Sequence, residues 1–269
     1  MANLYEMLLI GSEILLDLEH ASNNDNPLPE SISPHNREQI EKLDQKIKEL
    51  ETELGNRLRL AFGAMLIPLV VPPLSGAAFA MIPFLPGVLN RLQIVNRLRN
   101  TAVALIETFS DQGIIVNCNV EVPEIGTLDL FIRFPNQPKA IFLVSLRSKG
   151  KSKVFFREAK EAFYYQRKGS GLRPLNADPF RDLGVQENWL RQNRQDLFGE
   201  SLRDRKRSAI KILAFAGETS IGTHSDHLYT EIGSEKVLLT KTRVTVYVME
   251  AAQLIAFIQS WLKNLQNPQ

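Results

Sequence analysis

Cysteine is nearly absent: Cys118 is the single one in 269 residues. It has no partner for an internal disulfide and cannot build a cysteine-based zinc site, and the chain suits a reducing compartment. The first twenty residues contain Glu6, Glu13, Asp17 and Glu19 but no Lys or Arg. That is the wrong charge for a secretory or organellar targeting segment. Charge of either sign is missing from Leu60 to Asn90, 31 consecutive residues. No Walker or dinucleotide-type glycine loop, Ser-His-Asp spacing or nucleophile elbow is found, which disfavours an NTPase, a Rossmann dehydrogenase or a serine hydrolase. Low-complexity tracts and internal repeats are lacking too. With 44% hydrophobic and 23% charged residues, the composition is that of a globular protein.

The net charge of +2 conceals an asymmetry. Residues 1–59 carry 6 Lys and Arg against 12 Asp and Glu, or −6, whereas residues 145–207 carry 16 against 8, or +8. The two remaining segments, 60–144 and 208–269, each balance at 5 against 5. An acidic head and a basic middle point the middle toward polyanions; a salt-bridged helical surface is the ordinary alternative.

The spacing of Leu4, Leu8, Leu15 and Leu18 predicts a short amphipathic helix over 3–19, followed by a polar linker to Ser33. Ser33 and Pro34 read as an N-cap and first helical residue. Ile40, Leu43, Ile47, Leu50 and Leu54 then alternate by three and four, a seam for a helical hairpin or a short paired helix. The acidic helices offer a surface for a homo-oligomer. The uncharged run follows. A straight helix of that length would measure roughly 46 Å, but five prolines (68, 72, 73, 83 and 86) and Gly76 break it. Arg57 and Arg59 precede it and Arg91, Arg97 and Arg99 follow it, so both ends favour a cytoplasmic face. We expect a hairpin that dips into or crosses a membrane and returns; the alternative is a proline-rich helical pair buried under the globular domain or in an oligomer interface. The mean hydropathy of −0.13 excludes only a polytopic membrane protein.

Three segments are thus expected: N-terminal helices over 1–59, an apolar hairpin over 60–94 and an α/β domain over 95–269. In the last, the pattern predicts a helix at 101–109 and strands at 114–122, 126–134 and 140–146. A helix over 155–168, a loop over 169–182 and a basic helix over 185–204 follow. A strand at 210–216, another within 237–248 and a closing helix at 251–265 complete it.

Asp129 stands alone in an apolar strand, and the next strand ends with Ser145 and Arg147 on one face. If the strands pair, Asp129 and Ser145 meet. This layout, with helix, three strands, helix and strand in order, resembles the PD-(D/E)xK restriction-endonuclease-like fold, and its nuclease-related (NERD) branch in particular. The resemblance covers roughly the last two thirds of the chain, with 176–195 matching the branch's downstream region. It implies an α/β (α+β) architecture, a mixed sheet flanked by helices. Asp129 matches the family's metal-binding aspartate, Ser145 stands at its glutamate and Arg147 at its lysine. Glu107 corresponds to a supporting acid.

Serine brings no charge to Mg²⁺, one carboxylate rarely holds a dication, and arginine does not readily surrender a proton. Migration, which this family tolerates, can place the missing carboxylate at Glu121, Glu158 or Glu161 and the missing ammonium at Lys149 or Lys160. Lys149, Lys151, Lys153 and Arg157 follow the site directly, and Gln166, Arg167, Lys168 and Arg173 surround a Gly-Ser-Gly turn. Arg203, Arg205, Lys206 and Arg207 end the expected basic helix. Such cations give salt-sensitive backbone binding to nucleic acid, and Tyr164, Tyr165 and Gln166 resemble a DNA-touching helix motif of some nucleases of this fold. The same face also suits anionic lipid. His224, Asp226 and His227 offer metal ligands in a polar loop, though such histidines are commonly just solvated. Cys118 reads as packing.

The expectation is therefore a membrane-associated nuclease-fold protein on the cytoplasmic face, or in the cytoplasm, that binds nucleic acid or another polyanion through a degraded site without a cofactor. An active Mg²⁺-dependent DNA endonuclease with a migrated carboxylate and a non-catalytic scaffold are the alternatives.

Overall fold

The computed structural model describes residues 32–66, 85–175, 178–199 and 201–266. The chain divides into a unit Met1–Ile32 and a unit Ser33–Gln269, and the architecture below is that of the second. The helix expected over 3–19, most of the linker after it and the tip of the apolar hairpin lie outside the described residues.

Helix α1 (Pro34–Leu66) starts where the capping pair predicts: the Asn36 N–H donates to Ser33 Oγ at 3.3 Å. Its seam residues Ile40, Leu43, Ile47, Leu50 and Leu54 are all buried. Their partner is α2 (Leu85–Phe109) of the same chain, which buries Val88, Leu92, Val95, Leu98 and Leu105. Ion pairs Glu53–Arg91 and Asp44–Arg99 join the two helices and show them antiparallel. Each helix runs unbroken across an expected segment boundary, α1 through 59–60 and α2 through 94–95. No helix among the described residues is long and apolar enough to cross a membrane.

Beyond α2 the chain is mixed α/β. Strands β1 (Ile115–Val122), β2 (Gly126–Arg133) and β3 (Ile141–Arg147) form an antiparallel meander, close to the expected bounds. Several elements later β7 (Ile210–Phe215) lies parallel to β3, and β11 (Thr245–Glu250) parallel to β7. With β9 (Tyr229–Ile232) and β10 (Glu235–Lys241) the large sheet has seven strands in the order β1-β2-β3-β7-β11-β10-β9. The strand expected within 237–248 is two, β10 and β11, antiparallel across a short turn.

Helices cover both faces of this mixed sheet. On one, Phe109 of α2, Phe134, Phe142 of β3 and Trp261 of α5 (Leu254–Gln266) form a chain of edge-to-face rings. On the other, Phe131 and Leu143 meet α3 (Pro179–Asn193) and the segment after it, where Phe198 packs on Phe131 with centroids 5.1 Å apart.

Two helix expectations are corrected. Residues 155–168 form no helix. They belong to β4 (Ser152–Arg157), a single 3-10 turn (Glu158–Lys160) and β5 (Ala162–Arg167), an antiparallel hairpin. Burial of Ser152, Val154 and Phe156 between exposed Lys153 and Arg157 has the strand period of two, and Glu161 turns the chain at φ +46°. The apolar residues Phe156, Phe163 and Tyr164 fit a helical spacing by coincidence. This hairpin, with β6 (Arg173–Pro174) and β8 (Thr219–Ile221), makes a second sheet of order β6-β5-β4-β8. The helix expected over 185–204 instead begins at Pro179, inside the expected loop. The Asp178 carboxylate caps it by accepting from the N–H groups of Phe180 and Arg181. It ends at Asn193, and a 3-10 turn (Gln195–Phe198) then buries Leu197 and Phe198. A separate turn of helix, α4 (Leu202–Arg205), carries Arg203 and Arg205, and Lys206 and Arg207 follow it directly.

Candidate functional site

Asp129 sits on β2 and is 7% exposed. Between the paired residues Cys118–Leu130 and Val120–Leu128, Asn119 turns β1 through φ +50°, so the ladder is interrupted opposite Asp129. Asparagine tolerates that left-handed conformation better than most residues. From β3, the Leu146 N–H donates to Asp129 Oδ2 at 2.7 Å and the Ser145 hydroxyl donates to the same oxygen at 3.3 Å. Arg147 Nη1 stands 3.7 Å from it. The structure thus brings together Asp129, Ser145 and Arg147, as strand pairing requires.

Burial pushes the Asp129 carboxyl above its ordinary range, against the opposing pull of Arg147, the Leu146 N–H and Ser145. Asp182, in the first turn of α3, is also pushed up, chiefly by burial and further by Asp178, while the same Arg147 and then Arg181 oppose the shift. The charge of Arg147 therefore acts on two acids, while its close contact is with Asp129. The arrangement can hold a cation of its own but presents no open oxygen cage. No group of three or more His, Cys, Asp or Glu able to hold a metal occurs among the described residues.

The proposed substitutes lie elsewhere. Glu107 is exposed on α2, and Glu121 is exposed on β1 across from Thr127; neither bonds to Asp129. Glu158 pairs with His227 at 3.0 Å, and Glu161 is exposed at the hairpin turn. Asp226 pairs with Lys236 at 3.1 Å, and His224 accepts from the Phe156 N–H at 2.7 Å. The loop histidines and aspartate thus have separate partners. Cys118 is pushed up to about 12 by burial, which leaves it a thiol and no nucleophile.

The expected nucleic-acid contacts fall on and beside the small sheet. Lys153 and Arg157 are on β4, Gln166 and Arg167 on β5, Lys168 in the following turn and Arg173 on β6. Lys149 and Lys151 occupy the loop that enters it. Tyr164, Tyr165 and Gln166 lie on a strand, not a helix, which removes the likeness to a DNA-touching helix. Cations stack on these rings: Lys149 over Tyr165 at 5.5 Å, and Arg157 and Lys160 over Tyr164 at 5.3 and 5.9 Å. Lys151 meets Glu218 at the surface, whereas Lys153, Arg167, Lys168 and Arg173 have no ion pair among the described residues.

In the other basic segment Arg191, Arg205 and Arg207 are occupied internally. Arg191 binds Glu187 and backbone carbonyls of Arg205 and Arg207, and its guanidinium lies 4.3 Å from the Phe198 ring centroid. Arg205 bonds to Gly199 and Gln195, and Arg207 to Asp204. Sequence reading missed Glu187, which sits among Lys211, Arg191 and the Ala209 N–H. Glu187 four residues before Arg191, the spacing of an ion pair on one helix face, is the signal that was there.

Compared with known proteins, the chain matches no family model, no curated sequence and no solved structure.

Proposed function

We propose that the chain is a polyanion-binding protein on a restriction-endonuclease-like scaffold whose metal centre is degenerate, with nucleic acid as its partner. The run α2-β1-β2-β3, followed after the inserted strands β4 to β6 by α3, α4 and then β7 parallel to β3, supports the scaffold reading. The observation that carries the loss of cleavage is the Asp129–Arg147 pair. Where a nuclease of this fold needs a second carboxylate and a lysine, Ser145 donates a hydrogen bond and Arg147 contributes its own positive charge. A divalent ion would have to displace both, with one acid to receive it.

Binding is assigned to the small sheet because its cations have fewer internal partners than those of α3 and α4. Contacts of this kind act on the phosphate backbone, so affinity falls steeply with salt. The apolar run over 60–90 is the membrane-associated element of this proposal and places the α/β unit on the cytoplasmic face.

A plasmid nicking assay with Mg²⁺ or Mn²⁺ tests the first part. No nicking is expected from the wild type. Cutting that disappears in Asp129→Ala would establish instead a Mg²⁺-dependent endonuclease, with Asp182, which shares Arg147 with Asp129, as the first carboxylate to examine. Carbonate extraction of membranes tests the second part: retention in the membrane pellet is expected, and release rejects insertion.

A further inference from the structure

A cavity of about 680 Å³ opens beside the outer side of the β4–β5 hairpin. It falls within the ~300–1,000 Å³ span of small-ligand pockets. Phe155, Leu172 and Leu228 supply apolar walls, and Arg157, Gln166 and His224 supply polar ones. Phe155 is held in place. Its ring lies where a Cβ on Gly222 would come within 2.1 Å, so only glycine permits the approach. His224 continues the aromatic wall, 6.3 Å from Phe155 and 6.2 Å from Tyr229 between ring centroids.

The polar groups are oriented as well. His224 Nε2 accepts the Phe156 N–H, which assigns the ring proton to Nδ1. That buried Nδ1 faces the Gly222 carbonyl without completing a hydrogen bond of standard geometry. Burial lowers the basicity of the ring, against the opposing pull of the Gly222 carbonyl and Glu158. Arg157, at the end of β4, projects its guanidinium over Tyr164, and Gln166 donates to the Ser170 carbonyl at 3.1 Å. Glu158 on the rim is engaged by His227.

We propose that this cavity receives one unstacked base of a single-stranded nucleic acid, against Phe155 and beside Arg157, while Lys153, Arg167 and Lys168 hold the adjoining phosphates. The inference rests on the polyanion reading above and sharpens it. A base paired inside a duplex offers no free face to a ring, whereas single strands expose one at every nucleotide. Aromatic walls interleaved with cations match that chemistry. An anionic lipid headgroup would use the cations and leave the aromatic wall without a ligand.

Fluorescence anisotropy with the full chain decides the matter. The probes are fluorescein-labelled single-stranded oligothymidine of about twenty nucleotides, longer than one ~4–16-nucleotide site, and a duplex of equal length. Wild type is expected to prefer the single strand by about tenfold or more. Phe155→Leu, which keeps an apolar side chain against Gly222, and Arg157→Ala, at an exposed position, are each expected to weaken single-strand binding about fivefold or more. Duplex binding should change far less in Phe155→Leu. Equal affinity for the two probes, or single-strand binding unaltered by both variants, overturns the cavity assignment and leaves the polyanion reading standing. Binding to phosphatidylserine vesicles with no binding to either oligonucleotide overturns both.

Discussion

Arg147 and Asp129 face one another from adjacent strands, Nη1 to Oδ2 at 3.7 Å, with the aspartate buried and the arginine one-third exposed. The carboxylate's surroundings are those of an internal acceptor. Its stability effect has a definite sign. A carboxyl raised by burial contributes stability that is present in full below the ordinary carboxylate range and is lost as pH rises through its native value. Asp129→Asn cannot ionise but can still accept from the Leu146 N–H and Ser145. Its stability relative to wild type should therefore increase from acidic to neutral pH in urea unfolding. Asp129→Ala should instead lose about 1–3 kcal/mol, because the Leu146 N–H is left without its acceptor. A constant difference between Asn variant and wild type across that range would reject the burial argument.

Glu187 shows the opposite balance. Burial raises it, but hydrogen bonds from Lys211, Arg191 and the Ala209 N–H together hold it below its ordinary value. Lys211 and Glu187 side chains are only 11% and 12% exposed. Glu187→Gln leaves the buried ammonium without its charge partner, and a loss of about 3–5 kcal/mol is expected in denaturant unfolding. The Glu187 contribution should also decline in acid, since a lowered carboxyl stabilises above its unfolded value and ceases to do so as pH falls through the native one. A loss below about 1 kcal/mol, the range of exposed pairs, would make this a surface interaction in effect.

How much of this was legible in the sequence differs from element to element. The Ser33–Pro34 start of α1, the apolar seam and the β1–β2–β3 meander were readable because a cap, a period or a turn marks each locally. The β4–β5 hairpin was not. Its alternation is interrupted by the Glu158–Glu161 turn, and aromatic residues at 156, 163 and 164 imitate a helical face. The fit of α1 against the sheet was also invisible: the Asn36 side chain donates to the Ile114 carbonyl at 2.8 Å and accepts from the Val116 N–H at 3.0 Å, across 78 and 80 residues. Of the site, Asp129, Ser145 and Arg147 could be placed by strand periodicity. The cavity at Phe155 and His224 could not, because it depends on a loop 68 residues away folding back onto β4.

Cys118 should behave as a packed thiol. Its pKa of about 12, against an ordinary value near 8.5, implies thiolate on the order of a thousandfold scarcer near neutral pH. Iodoacetamide labelling of the native protein should be slower than that of the unfolded chain by a comparable factor, as mass spectrometry can follow. Rapid native labelling would show a reactive thiol and reopen its assignment to packing.

The loss of the metal site can be tested by reversing it. Ser145→Asp with Arg147→Lys places a second carboxylate beside Asp129 and removes the guanidinium that now attends it. Without metal the variant should be less stable than wild type, since two buried acids repel and a single ammonium at 147 must serve both. With Mn²⁺ it should recover, by about 2.7 kcal/mol when the ion is at a hundredfold excess over Kd, while the wild type shows no Mn²⁺-dependent change in melting temperature. Recovery would place the defect in these two side chains. Should the variant fold yet gain nothing from Mn²⁺, the obstruction lies in the surrounding geometry, with the interrupted ladder at Asn119 and the Asp182 side of Arg147 as the structural reasons to pursue.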